Sequence, residues 1–329
     1  MKGLLFACLS LVSLAVGAPS LRRQDAVTPQ LLNNFELFIQ WSVASSCNSE
    51  KSSGEPVTCN QDQCSRFVSH NATVVDSFIG AVLDTRGFVG VDPVDGLIVL
   101  SFRGSSSIEN WIADFLFLQV PCDLTPNCLV HDGFYLSWSE VRDRAMAAVS
   151  AAKAANPTYP IVVTGHSLGG AIATLAAAYM RAAGFAADLY TYGSPRVGNL
   201  ALAEFVTNQP GAEYRVTHTD DPVPRLPPIW LNYRHVSPEY WVDPGSDGVA
   251  TANEIAYCPG YSNVDCNGGT TGLDVQAHLW YFQEIDGCDS NVIMTSEGGM
   301  SKQELEAKLN QSVEMDKQVA ENLHAEGQE

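Results

Sequence analysis

Apolar residues recur with helical spacing from Leu31 to Ala44, which predicts an amphipathic helix. Two short apolar runs follow, Gly87–Val91 and Leu97–Phe102, split by Pro93 and Asp95-Gly96. That arrangement predicts a hairpin. Helical periodicity returns from Gly133 to Ala155 and stops at Asn156-Pro157, a helix-ending signal. Tyr159–Thr164 is a run suited to a buried strand. Leu168 to Ala183 predicts a small-residue helix closed by Gly184, and Asp188–Tyr192 the next strand. Ala201–Val206 then predicts a helix and Tyr214–Thr217 a further strand. Strand and helix alternate, so the fold class is α/β, with a largely parallel sheet covered on both faces. No internal repeat interrupts the pattern.

The two ends of the chain do not follow it. Lys2 precedes a short apolar stretch, Gly3 to Val16, and then the small residues Gly17 and Ala18. Such a start reads as a secretory signal peptide over residues 1–18. The stretch is short for a bilayer span, which needs about 20 apolar residues, and no integral membrane segment is expected elsewhere. Arg22-Arg23 looks like a dibasic processing site, so residues 19–23 read as a propeptide and 24–288 as the domain. Composition shifts after Cys288: residues 289–329 hold nine acidic and three basic residues and no cysteine. This acidic C-terminal extension contains Ser301-x-x-Glu304, a capping box that would open one helix through Leu305, Leu309 and Val313. The balance of its composition favours a solvated tail.

The 329 residues are 46% hydrophobic and 17% charged, which excludes a disordered chain and leaves ample length for a large core. The formal charge of −19 argues against a nucleic-acid partner and against electrostatic docking on anionic membranes. Secretion turns the cysteines into disulfide candidates. Outside the leader they are Cys47, Cys59, Cys64, Cys122, Cys128, Cys258, Cys266 and Cys288. No Cys-x-x-Cys pair points to zinc, and no metal is expected. The close pairs Cys59/Cys64, Cys122/Cys128 and Cys258/Cys266 look like local clips, leaving Cys47 and Cys288 to join the ends, although spacing alone does not decide the pairing. Asn71-Ala72-Thr73 and Asn310-Gln311-Ser312 are glycosylation sequons at Asn71 and Asn310, which permit but do not require a glycan.

The chemistry centres on Gly165-His166-Ser167-Leu168-Gly169. This Gly-x-Ser-x-Gly follows a predicted strand and opens a predicted helix, the context in which a sharp turn exposes a nucleophilic serine. Read blandly, it is a tight turn with an inert serine; the strand-to-helix context outweighs that. A serine needs a base and the base an acid, in the chain order Ser, Asp, His. Among the later histidines, His324 lies in the acidic tail and His235 in a strand-like run. His278 sits in a loop predicted to lead into an apolar helix, a placement that suits a base. Asp220 and Asp221 both follow the Tyr214–Thr217 strand, and position alone does not separate them.

Several motifs together are similar to the secreted class 3 lipases of filamentous fungi. They include Ser101-Phe102-Arg103-Gly104-Ser105, His131-Asp132-Gly133-Phe134 and Thr164-Gly165-His166-Ser167-Leu168-Gly169-Gly170. Tyr192-Gly193-Ser194-Pro195-Arg196-Val197-Gly198-Asn199, Asp221-Pro222-Val223-Pro224-Arg225 and Ala277-His278-Leu279-Trp280-Tyr281-Phe282 continue the series. The resemblance runs from about residue 30 to 288. It implies an α/β-hydrolase fold with a helical lid. It places the catalytic acid on Asp221, the base on His278 and the oxyanion hole on Leu168 and Ser105. It also implies the disulfides Cys47–Cys288, Cys59–Cys64 and Cys122–Cys128, with Cys258–Cys266 as an extra bridge in a subset.

Ile108, Trp111, Ile112 and Phe115 fall at i, i+3, i+4 and i+7, one face of a helix that Ser107 would cap. By pattern alone this is an ordinary packing helix. Its place after Ser105 resembles the family's lid, whose apolar face covers the nucleophile in water. The expected activity is therefore a secreted triacylglycerol lipase, with phospholipase A1 activity as an accompanying possibility, acting as a monomer on acylglycerol at a lipid–water interface. No cofactor is implied. The alternatives are a feruloyl-type carboxylesterase, which a polar lid would favour, and a non-catalytic lipid binder.

Overall fold

A computed structural model describes residues 27–60, 62–105, 112, 117–243, 250–285, 288 and 301–327. In chain order the elements are α1 (Pro29–Asn48), α2 (Ser65–Ser69), β1 (Thr73–Ile79), β2 (Arg86–Asp92) and β3 (Leu97–Phe102). Next come β4 (Gln119–Pro121), β5 (Leu129–His131), α3 (Asp132–Ala155), β6 (Ile161–His166) and α4 (Leu168–Ala182). The chain continues through β7 (Ala187–Tyr192), α5 (Leu200–Thr207), β8 (Glu213–His218), β9 (Glu239–Val242) and β10 (Ile255–Cys258). It closes with α6 (Val275–His278) and α7 (Lys302–Ala325).

Eight strands form one sheet in the order β1-β2-β3-β6-β7-β8-β9-β10. The pairs from β3 through β9 are parallel, and antiparallel hairpin partners extend both edges. This is the α/β-hydrolase arrangement, a mostly parallel sheet with helices on both faces. β6 lies near its centre and every residue of it is buried, as expected for a strand covered on both sides. Its side chains divide by alternation. Ile161 and Val163 join the core beneath α3 and α4. Val162 faces the other core, which holds Phe35, Phe38, Ile39 and Trp41 of α1. Burying each such large side chain is worth about 1.5–3 kcal/mol, and both faces of the sheet gain it.

The predicted α1, α3, α4 and α5 and the strands β2, β3, β6, β7 and β8 appear, with ends moved by a few residues, whereas the strand-like run around His235 forms only an isolated bridge at Arg234. α1 begins earlier than its apolar stripe, because the Thr28 hydroxyl caps Leu31 N–H and Pro29 occupies the first turn. The hairpin β2–β3 pairs Gly87 with Phe102 and Asp92 with Leu97. α2, β1, β4, β5, β9 and β10 went unpredicted; all but β1 have five residues or fewer, too short for periodicity to register. The helix expected after His278 is absent. There the chain reverses instead, with Phe282 at φ 58° and a bridge between Trp280 and Glu284.

Four disulfides join Cys47–Cys288, Cys59–Cys64, Cys122–Cys128 and Cys258–Cys266. No described helix is long and apolar enough to cross a membrane. The tail also departs from the solvated reading. α7 starts at the Ser301/Glu304 capping box and buries Leu305, Leu309, Val313 and Asp316 against the body. Helical spacing puts these four on one side, and the buried Asp316 is paired rather than solvated.

Candidate active site

Ser167 lies between the last residue of β6 and the first of α4, at φ 57°. A non-glycine residue seldom adopts that conformation, and here the neighbouring glycines accommodate the turn. A Cβ on Gly165 would stand 2.2 Å from the Gly169 carbonyl oxygen, and one on Gly169 2.4 Å from that of Phe102. The Ser167 amide donates to the Tyr192 carbonyl at 2.9 Å, tying the turn to β7. Helix geometry leaves the first amides of α4, Leu168 among them, without intrahelical acceptors. Gly104 passes close by: a Cβ there would lie 3.3 Å from Ser167 Cβ. Ser105, the next residue, is half-buried. Ile108, Trp111 and Phe115 lie outside the described residues. Ile112 is buried among Val223, Leu226, Leu273, Val275, Leu305 and Leu309.

The structure separates the two aspartates. Beyond β8 the chain turns at Thr219 (φ 37°) and leaves Asp220 half-exposed. Asp221 is fully buried. Its Oδ1 accepts from Val223 N–H at 2.9 Å and its Oδ2 faces His278 Nδ1 at 2.8 Å. Asn267 Nδ2 donates to the Asp221 and Thr219 carbonyls at 3.0 and 3.1 Å and holds the loop.

His278 ends α6, which the Asp274 carboxylate caps by accepting from Gln276 and Ala277 N–H. Two other histidines clasp the same segment. His166 Nε2 meets the His278 carbonyl and His218 Nδ1 meets that of Ala277, both at 2.9 Å. A carbonyl only accepts, so both ring nitrogens are the protonated ones. By the same logic His278 carries its proton on Nδ1, toward the carboxylate. Its Nε2 is buried and has no hydrogen-bond partner among the described residues. The ring lies 4.4 Å, centroid to centroid, from that of His166, the residue before Ser167. Burial first, and then the nearby His278, hold the His166 pKa well below the usual imidazole value. His166 is therefore a neutral neighbour.

Besides His166, His218 and Asn267, two further residues at this site had no role in the sequence reading. Tyr281 donates its hydroxyl to Asp221 Oδ2 at 2.5 Å. Burial, and then the negative Asp221, push its pKa well up, so it stays a donor. Gly193 has φ +54°, and a Cβ there would stand 2.9 Å from both Asp221 Oδ2 and His278 Nδ1. Spacing of three from His278 was the only available signal for Tyr281. The remaining histidines lie elsewhere. His235 is buried, with Nε2 donating to the Pro224 carbonyl at 2.7 Å, and His324 is exposed on α7. Of the sequons, Asn71 is exposed, whereas Asn310 Oδ1 accepts from Gly272 N–H at 2.8 Å.

The chain's similarities are consistent along its length. Residues 99–230 match the family model Lipase (class 3). Secreted mono- and diacylglycerol lipase 1 of Fusarium solani is 48% identical over 97% of this chain and 99% of its own. The crystal structure of a mono- and diacylglycerol lipase from Aspergillus oryzae superposes with a TM-score of 0.74 at 41% identity, covering 78% of this chain and 98% of that one. A triacylglycerol lipase whose catalytic centre is described as a serine protease triad superposes with a TM-score of 0.70 at 32% identity, covering 82% and 98%.

Proposed function

The chain belongs to the class 3 lipases, ester hydrolases, and from that premise we propose that Ser167, His278 and Asp221 hydrolyse acylglycerol esters by acyl transfer. The observation that carries this reading is the orientation of His278. Its Nδ1 faces the buried carboxylate of Asp221, and its Nε2 keeps a free lone pair beside the turn that bears Ser167.

Ser167 Oγ attacks the ester carbonyl carbon while His278 Nε2 takes its proton. Asp221 holds the ring and balances the imidazolium charge. The tetrahedral oxyanion receives the Leu168 amide and the Ser105 amide, with the Ser105 hydroxyl beside it. Each such donor is worth about 3–4 kcal/mol in the transition state. The carbon–oxygen bond to the alcohol breaks as His278 returns the proton to it. Water then attacks the acyl-enzyme with the same base, releasing the fatty acid and restoring Ser167.

Two of the relatives named above act, by their names, on mono- and diacylglycerols and one on triacylglycerols; we propose the acylglycerols as substrates, mono- and diacylglycerols first. The proposal of secretion is supported by relatives named as secreted, alongside the signal-like composition of residues 1–18. The test compares emulsified diacylglycerol, triolein, a phosphatidylcholine and methyl ferulate, with and without Ser167→Ala. A loss of about 10⁶-fold on the acylglycerol is expected for the alanine variant. Undiminished cleavage by that variant, or a preference for methyl ferulate, would overturn the reading.

A further inference from the structure

α7 lies across the two loops that deliver the acid and the base. Leu305 and Leu309 share one apolar cluster with Val223 and Leu226 downstream of Asp221, and with Leu273 and Val275 upstream of His278. Ile112 completes that cluster. Directed polar contacts fix the helix over this face. Asp316 Oδ2 meets Arg196 Nη1 at 3.1 Å, with both side chains buried. Asp316 Oδ1 accepts from Trp230 N–H and Ser312 Oγ from Trp230 Nε1, each at 3.1 Å. Asn310 Oδ1 holds the Gly272 amide.

A groove of about 440 Å³, partly open to solvent, runs between α7 and the body, lined by Ile112, Phe117, Leu226, Pro228, Trp230 and residues of the helix including Met315. The four contacts hold the helix along this groove, so its departure would lay open the apolar wall beside it. When α7 leaves, Arg196 loses its carboxylate partner but keeps the Arg225 and Pro227 carbonyls, which its Nη1 meets at 2.7 and 2.9 Å.

We propose that α7 is an intramolecular cover. Docked, it occupies the apolar face beside the Asp221 and His278 loops. Displaced at a lipid surface, it yields that face to acyl chains, which bury the same apolar area in its place. The enzyme at rest in water would thus be held below its full activity by its own C-terminal helix. This inference rests on the acyl-transfer reading of Ser167, His278 and Asp221.

The test uses the full chain with Leu305→Ser/Leu309→Ser, and the same pair with Asp316→Asn added. Amide exchange at Gly272 and Trp230 reports undocking. Covalent labelling of Ser167 by a soluble serine-directed phosphonate reports an intact site. Hydrolysis of emulsified dioctanoylglycerol at sub-saturating interface reports the cover. Faster exchange, retained labelling and a rise in emulsion rate of about tenfold are expected, because the competent fraction scales the apparent affinity for the surface. Faster exchange with retained labelling and no gain in rate would overturn the cover. Unchanged exchange in the triple variant, or labelling lost from the variants alone, would make α7 a permanent part of the fold and overturn it equally. Labelling absent from the unaltered chain as well would instead defeat the acyl-transfer reading.

Discussion

Tyr281 and His278 share a single oxygen of Asp221, the hydroxyl at 2.5 Å and the imidazole Nδ1 at 2.8 Å. Val223 N–H satisfies the other oxygen. The carboxylate is fully buried, so its donors set how well it holds negative charge. Tyr281→Phe keeps the ring and removes one donor. A hydrogen bond to a charged group contributes about 1.5–3 kcal/mol. With one donor gone, the carboxylate is less firmly fixed and orients the imidazole less well. The expected outcome is a fall in kcat of about tenfold or more. A kcat equal to wild type would show that the hydroxyl has no positioning role.

Gly193 tests the same site from the backbone side. Its φ is +54°, and an added methyl carbon would sit 2.9 Å from both partners, so Gly193→Ala must displace either the carboxylate or the ring. A misplacement of about 1 Å costs about 100-fold in rate. Gly184 is the control. Its φ is +90° and nothing lies within 4 Å of a Cβ there, so Gly184→Ala should cost about 1–2 kcal/mol of stability and leave kcat alone. Equal losses of activity in both variants would mean that backbone strain, not crowding of the site, is responsible.

The legible parts of this chain were those where local chemistry is stringent. Ser167 could be picked out because Gly165 and Gly169 have no room for a side chain, and that requirement is written as glycine. The central strands were legible because burial on both faces makes them uniformly apolar. Asp220 and Asp221 are chemically identical neighbours, and only the turn at Thr219 and the contact with His278 tell them apart; family resemblance had to supply that choice. The role of Tyr281 is hidden in an aromatic run where packing would explain every ring. α7 was half legible: Ser301 and Glu304 announced its start, while its acidic composition obscured a face that buries Asp316 against Arg196. Pairing between distant buried charges leaves no local pattern.

The disulfides should differ in what their loss costs. Cys47–Cys288 spans 241 residues and Cys122–Cys128 spans 6. By chain entropy alone, the long loop is worth about 5 kcal/mol and the short one about 2 kcal/mol. Replacing Cys47 and Cys288 together by Ser should therefore lower the thermal midpoint by more than twice as much as replacing Cys122 and Cys128. Equal shifts would mean that native-state packing, rather than restriction of the unfolded chain, sets their contribution.

Two buried groups should tilt the stability curve in opposite directions over the same mildly acidic range. Burial, aided by Arg215 and Arg196, holds His235 well below the ordinary imidazole pKa. From about pH 6.5 downward the unfolded chain binds a proton that the folded chain refuses, so stability is lost as pH falls. Glu213 acts the other way. Burial outweighs its partner Arg181 and raises its pKa from 4.5 to about 7. Its contribution is fully present below the unfolded value and is lost as pH rises through about 7. His235→Gln keeps a donor for the Pro224 carbonyl and should weaken the loss of stability as pH falls below about 6.5. Glu213→Gln leaves Arg181 bonded to the Ala187, Val206 and Ala212 carbonyls and should remove the opposing loss as pH rises from 4.5 to about 7. Thermal midpoints measured from about pH 4 to about pH 8 on the two variants and the wild type separate the two slopes. A glutamine at either position that left the slope over its own window unchanged would assign that slope to other groups.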